Sequence, residues 1–125
     1  FYALDAQSGK ETWRFRAANE LGSSPALSKG VLYFGCDDNR LYAVDAADGK
    51  LKWTFATRGM VDSSPAVANG IAYFGSRDGH LYAVKTDDGG ELWRFKTSGW
   101  VRSSPTVVGK TVYFGSEDNK IYALK

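Results

Sequence analysis

Cysteine and histidine are scarce in this 125-residue sequence, and their scarcity excludes some chemistry at the outset. Cys36 is the single cysteine, so no disulfide can form within the chain and no cysteine-based zinc site can be built. His80 is the single histidine, and no Asp–Ser or Cys partner for it stands out in the sequence. These residues give no support to a catalytic triad.

An excess of charge of one sign is also absent. Sixteen Lys and Arg residues stand against fourteen Asp and Glu, a formal net charge of +2 without runs, so we expect no basic face for nucleic acid. No hydrophobic run approaches the length of a membrane span, and the first residues lack the pattern of a signal peptide. Because the sequence starts at Phe1 without an initiator Met, we expect the true N-terminus, with any targeting signal, to lie outside it.

What the sequence does contain is a repeat. The registers are residues 1–40, 41–80 and 81–120, and residues 121–125 begin a fourth. Tyr, Ala, Gly, Trp, Phe, Ser-Ser-Pro, Tyr-Phe-Gly and Asp return at the same offsets each time. A sequence period of this length is typical of solenoids and propellers.

Each repeat predicts four short strands of about five residues separated by Gly and Asp turns. Strand A begins at Ser-Ser-Pro, strand B contains Tyr-Phe-Gly, strand C contains Leu-Tyr-Ala and strand D contains Trp-x-Phe. We therefore predict an all-β fold, a β-propeller segment of four-stranded antiparallel blades. The segment spans residues 1–125 as one domain, with complete blades at roughly 23–56 and 63–96 and partial blades at each end.

Three repeats are fewer than propellers usually contain, which is about four to eight blades. An open arc would leave two apolar blade faces in water. We therefore expect this sequence to be part of a larger propeller whose remaining blades cover those faces. The alternative is a homo-oligomer in which several chains close a ring together.

The hairpin between strands C and D carries a recognisable pattern. It comprises Ala43, Asp45, Gly49, Lys50 and Trp53, and it also occurs one repeat earlier. It resembles the tryptophan-docking repeat of the PQQ-like (quinoprotein) β-propellers, and the resemblance covers the whole chain. The third repeat departs from the pattern, with Lys85 in place of the Asp and Gly90 in place of the Lys.

The repeated Trp, Gly and Pro residues are interpreted as structural. A large rigid indole at a fixed register can pack flat against a glycine of the adjacent blade. A proline without an N–H is tolerated in strand A because that strand is an inner edge strand. Recurrence of Ser63-Ser64-Pro65 in every repeat argues against a nucleophilic serine. The residues interpreted in this way are Trp13, Trp53, Trp93, Gly9, Gly49, Gly89, Pro25, Pro65 and Pro105.

The resemblance implies two branches of function. Its enzymes hold a calcium ion near the quinone, with a catalytic Asp, a stacking Trp and commonly a disulfide between adjacent cysteines, which Cys36 alone cannot form. The sequence offers turns instead of a carboxylate cluster, at Asp38, Asp78 and Asp118, each followed by Asn or Gly, and at Asp87-Asp88. We assign no catalytic, cofactor-binding or metal-binding residue.

The favoured hypothesis is therefore the non-catalytic branch, which resembles the outer-membrane assembly scaffold lipoprotein and PQQ-repeat sensor or surface proteins. It implies a protein-interaction or ligand-sensing scaffold without a cofactor, in the periplasm, at the cell surface or outside the cell. The alternative is a segment of a PQQ-dependent dehydrogenase whose quinone and calcium ligands lie in other blades.

The repeats diverge in charge and size in the D–A and B–C loops, which alternation of strand direction places on one face. Trp100 is the one tryptophan outside the repeat register. Trp, Met and Arg are favoured at protein interfaces. We predict a candidate interaction surface formed by Arg58, Met60, Asp62, His80, Trp100 and Arg102. The alternative is that position 100 matches Glu20 and Met60 and merely covers a loop.

Overall fold

The computed structural model describes all residues, 1–125, and contains β-strands and turns without a helix. The strands are β1 (Tyr2–Leu4), β2 (Glu11–Arg14), β3 (Ala26–Ser28), β4 (Val31–Cys36), β5 (Arg40–Asp45), β6 (Leu51–Ala56), β7 (Ala66–Ala68), β8 (Ile71–Gly75), β9 (His80–Lys85), β10 (Glu91–Lys96), β11 (Thr106–Val108), β12 (Thr111–Ser116) and β13 (Lys120–Leu124).

The strands form four antiparallel sheets in which neighbours in sequence are neighbours in space. The first sheet is β1-β2, the second β3-β4-β5-β6, the third β7-β8-β9-β10 and the fourth β11-β12-β13. The second and third sheets are complete four-stranded blades, and the first and fourth are partial ones. The predicted all-β propeller segment, with two complete blades between two partial ones, is therefore confirmed.

The core lies between successive sheets. Leu41 of the second sheet packs in one cluster with Phe74 and Val84 of the third. Leu81 of the third sheet packs likewise with Phe114 of the fourth. Alternating strand residues point to opposite faces of a sheet, so each complete blade buries apolar side chains on both faces. Stacking of blades, rather than any single blade, produces the core.

The glycine of each Tyr-Phe-Gly segment lets the next blade approach. A Cβ built on Gly35 would collide with the carbonyl oxygen of Val61, and one on Gly75 would collide with that of Val101. Gly115, at the same position of the last repeat, has only the side chain of Ser103 nearby, at 3.7 Å. The shared glycine is thus required wherever another blade follows.

Two of the three repeated tryptophans lie on a glycine of the following blade. The indole of Trp13 covers Gly49 and donates from Nε1 to the carbonyl of Ala46 at 3.1 Å. One repeat later, Trp53 covers Gly89 and donates to the carbonyl of Thr86 at 3.0 Å. Both glycines have positive φ, 73° in each case, a conformation that disfavours other residues.

The third tryptophan has no such neighbour. Trp93 is 36% exposed, and at the other end of the chain nothing lies within 4 Å of a Cβ built on Gly9. Gly9 in the first sheet's hairpin and Trp93 on β10 of the third sheet therefore each supply one half of the contact that Trp13 makes with Gly49 and Trp53 makes with Gly89.

Strand A differs from the prediction. We expected about five residues beginning at Ser-Ser-Pro, whereas β3, β7 and β11 have three residues each and begin after the proline. The serines bond outside the ladder. Ser63 Oγ accepts from the Gly75 N–H at 3.1 Å and donates to the Ser103 carbonyl of the next blade at 2.8 Å. The Ser-Ser-Pro segment thus links blades instead of extending a strand.

Candidate functional site

The D–A connections and the B–C turns lie side by side on one face, which we call the loop face. The connection between the second and third sheets bonds to both of them. Its Thr57 N–H donates to the Asn39 carbonyl at 2.8 Å, and its Met60 carbonyl accepts from the Arg77 N–H at 3.0 Å. Each such connection therefore holds two adjacent B–C turns in a fixed relation.

An Asp–Tyr pair fixes every B–C turn. Asp78 accepts from the Tyr82 hydroxyl at 2.6 Å and from the Arg58 N–H of the adjacent connection at 3.1 Å. Asp38 and Asp118 accept equivalent hydroxyl groups from the tyrosines four residues later. Burial opposes ionisation of Asp78, but these donors outweigh it, and its pKa lies below the ordinary value.

A hydroxyl pair lies under the loop face at the third and fourth sheets. The Ser76 hydroxyl donates to Thr57 Oγ1 at 3.1 Å, and Ser116 and Thr97 repeat the contact at 3.0 Å. The first repeat has Cys36 and Ala17 at these two positions, and Cys36 is fully buried beside the Asn19 carbonyl. Burial raises the pKa of this thiol, so it serves as a packing group.

Four charged side chains form a cluster across the third and fourth sheets. Asp62 Oδ2 accepts from Arg77 Nη2 at 2.8 Å and from Arg102 Nε at 3.0 Å. Arg102 also reaches Glu117, at 3.3 Å. Burial of Asp62 favours its neutral form, but the two guanidinium groups outweigh this and hold the pKa of its carboxyl below the ordinary value.

Trp100 borders this cluster and remains accessible. The residue is 48% exposed, and the Arg77 guanidinium lies 5.3 Å from the centroid of its ring. A cation in this position is attracted to the face of the indole. The partly buried Arg77 therefore holds Trp100 against the neighbouring turn.

The structure places the remaining candidate residues around the same turn, in different roles. His80 Nδ1 lies 3.1 Å from Asp78 Oδ1, and its ring packs against Tyr82. Arg58 is exposed, and its backbone bonds to Asp78 while its side chain forms no ion pair. Met60 contributes its carbonyl to Arg77. The six candidates thus share the loop face, but Asp62 lies in the ion-pair cluster and is not free to bind.

Arg77 is the residue that the sequence interpretation missed. It contacts Asp62, Met60 and Trp100, and so connects candidates from two connections. The signal was present in the repeat, since the same position is Asp in the first repeat and Glu in the third. A position that reverses its charge between otherwise similar repeats is not explained by the shared fold.

No helix of the structure has the length and apolarity that crossing a membrane requires. No group of three or more His, Cys, Asp or Glu side chains has an arrangement that could hold a metal ion.

Comparison with known proteins places the repeats in a family. The model of the family described as outer membrane protein assembly factor BamB matches the chain twice, over residues 1–62 and 57–125. Together the two matches extend over the whole sequence. No curated protein sequence is significantly similar to the chain.

Two solved structures illustrate the likeness. The chain resembles the crystal structure of BamB from Moraxella catarrhalis with a TM-score of 0.81 and 19% identity, over 93% of this chain and 37% of that one. This is a likeness of fold. It also resembles the quinohemoprotein alcohol dehydrogenase ADHIIG from Pseudomonas putida HK5 with a TM-score of 0.68 and 30% identity, over 77% of this chain and 17% of that one. The chain spans well under half the length of either protein.

Proposed function

Because this chain belongs to the PQQ-like β-propeller repeat family, matched through the model of outer membrane protein assembly factor BamB, we propose that it is a non-catalytic module that presents its loop face to a protein partner. The family model and the BamB fold support an interaction scaffold in general. A location in the periplasm, at the cell surface or outside the cell is part of the same proposal and rests on family membership.

One observation carries the proposal, namely the separation of shared and divergent residues. The glycines, the Asp–Tyr pairs and the inter-blade tryptophans recur and are engaged in holding the blades together. Residues of the loop face that change between repeats form the Asp62–Arg77–Arg102 cluster beside an exposed Trp100. A surface of Trp and Arg over a rigid framework is what protein interfaces favour.

Position-specific photo-crosslinking in the native full-length protein tests this proposal. A photoreactive residue at Ser98, exposed on the loop face, is expected to capture a protein partner. The matched control is Asp87, exposed at the C–D turn of the opposite face. Adducts formed at Asp87 with no adducts at Ser98 would show that the loop face is the wrong surface.

A second candidate function is favoured by the 30% identity to the quinohemoprotein alcohol dehydrogenase. In that case the module is part of a PQQ-dependent dehydrogenase whose quinone and calcium ligands come from other repeats of a longer protein. A full-length sequence with adjacent cysteines and an acidic calcium cluster would support this function. A full-length sequence without them would end it.

We further propose that other repeats of the same polypeptide cover the open faces of the first and fourth sheets. Gly115 of the fourth sheet lacks the neighbour that Gly75 has, and Gly9 of the first sheet lacks the indole that covers Gly49. Light scattering on the 125-residue chain distinguishes this arrangement from a ring of several copies. A stable multiple of the 13.7 kDa mass would favour the homo-oligomer.

A further inference from the structure

Four concave regions occur on the surface, and one of them does not border an incomplete sheet. Three border the two-stranded first sheet or the three-stranded fourth sheet. The remaining cleft, about 320 Å³ in volume, lies on the loop face between residues 77–79 and 96–100. Both walls come from the complete third blade and the connection that leaves it. We call it the 77–100 cleft.

The equivalent surface one repeat earlier provides an internal reference. Asp, Thr and Gly are identical at three of the lining positions, and Asn39 and Gly79 both adopt positive φ in the turn. The four positions that otherwise differ are Asp37, Ala56, Arg58 and Met60 in the earlier repeat and Arg77, Lys96, Ser98 and Trp100 in the later one. The formal net charge of these four positions changes from zero to +2. The framework is kept while the lining becomes cationic and aromatic.

The cations of the 77–100 cleft differ in how far they are neutralised. Arg77 pairs with Asp62, which also pairs with Arg102, and Arg102 pairs with Glu117 as well, so carboxylates neutralise both guanidinium groups there. Lys96 is exposed, and its Nζ donates at 3.0 Å to the backbone carbonyl of Asp78, with no carboxylate within ion-pair distance. The cleft therefore offers an ammonium group without a counter-ion beside an exposed indole.

We propose that the 77–100 cleft binds an acidic, extended segment of a partner protein, with a carboxylate on Lys96 and an apolar side chain against Trp100. This inference rests on the proposed function and specifies the chemistry of the partner. Opposite charge supplies the attraction to Lys96, and an aromatic anchor beside it supplies burial of apolar area. Pockets for small molecules usually surround the ligand on most sides. This cleft is shallow and open, so it suits the side chains of a partner protein better.

Two substitutions test the cleft with amino acids that already occur at the equivalent positions of another repeat. Lys96→Ala and Trp100→Met each install the amino acid that the second repeat has at the same position, so the blade fold is expected to persist. Lys110→Glu is the matched control, because Lys110 is exposed at an A–B turn on the opposite face. Circular dichroism and the urea midpoint of each variant verify that it is folded.

The measurement is fluorescence anisotropy with a short labelled peptide rich in Glu and Asp and containing one Phe. We expect saturable binding that weakens in high salt, and no binding of the same peptide with Lys and Arg in place of the acids. Lys96→Ala should weaken binding by up to about fivefold, as for an exposed ion pair. Trp100→Met should weaken it by about tenfold or more, as for an aromatic anchor. Lys110→Glu should leave it unchanged.

Absence of saturable binding, equal binding of the basic peptide, or binding that neither cleft variant weakens would each overturn the inference. Stronger binding of a phosphopeptide than of its Glu and Asp counterpart would also overturn it, in favour of a phosphate ligand. Partner adducts at Ser98 together with any of these results would leave the proposed function intact. The two claims can therefore fail separately.

Discussion

Replacing Gly75 by Ala adds one methyl group at the point where the fourth blade packs on the third. The new Cβ would lie 2.5 Å from Val101 Cγ1 and 2.9 Å from its carbonyl carbon, whereas ordinary contacts begin near 3.4 Å. Val101 is fully buried, and a backbone carbonyl cannot rotate away as a side chain can. The blades would have to separate by most of an ångström, which we expect to destabilise the fold by about 3 kcal/mol, the upper range for overpacking.

The repeat supplies the control for this prediction. Gly115→Ala makes the same chemical change at the same position, where the nearest atom is the Ser103 side chain at 3.7 Å. Neither Gly75 nor Gly115 has positive φ, so Ala is compatible with both backbones. Because Ala restricts the unfolded chain, Gly115→Ala should be neutral or stabilising by about 0.4–1 kcal/mol.

Urea denaturation of the 125-residue chain, followed by tryptophan fluorescence, measures both variants against the parent. The expected result is a large fall in the midpoint for Gly75→Ala and none for Gly115→Ala. Equal shifts for the two variants would refute the reasoning, since the glycine would then matter for its own strand and not for the next blade. A shift below about 1 kcal/mol for Gly75→Ala would refute it as well.

Three further predictions follow from the contacts beneath the loop face. Because the pKa of the Asp62 carboxyl is lowered in the fold, its ionised form stabilises the fold above the ordinary Asp pKa of about 3.9. This contribution is lost as the pH falls below that value. Asp62→Asn should therefore flatten the dependence of the urea midpoint on pH below about 4. Tyr82→Phe removes a hydroxyl from the buried carboxylate of Asp78 and should lower the free energy of unfolding by about 1–3 kcal/mol; no change would show that the pair is dispensable. Cys36→Ser should lower the free energy of unfolding by about 1 kcal/mol. Adding Ala17→Thr should recover about half of this loss, because it restores the hydroxyl pair of the other repeats. Strictly additive effects of the two substitutions in a double-mutant cycle would contradict that pairing.

The fold was predictable because the sequence pattern of one four-stranded blade occurs three times in the chain. Period, turn chemistry and the alternation within each strand all indicated the same four-stranded unit, and the cuts through the first and last blades followed from counting strands. The error was local, at Ser63 and its equivalents. Small hydroxyl residues before a proline fit an edge strand as well as they fit a connection, and only the position of the next blade shows that Ser63 bonds to Ser103.

The loop face was predictable as a location but not as an arrangement. Divergence between repeats pointed to Trp100, Asp62 and Arg102, and strand direction placed their loops together. Which of these side chains meet depends on how far the connection between two blades reaches over the adjacent turn, and a linear sequence does not contain that distance. Arg77 was missed for this reason, because its partners come from connections on both sides of its own turn.

Reconstitution of the purified full-length protein with pyrroloquinoline quinone and calcium tests the central claim, that this is a non-catalytic interaction module, most directly. Reduction of an artificial electron acceptor is measured with a panel of alcohols and sugars, next to an authentic quinone-dependent dehydrogenase as the positive control. We predict a rate no higher than that of the quinone and calcium without protein. Turnover that requires the protein, the quinone and a substrate would contradict the account and establish the dehydrogenase alternative.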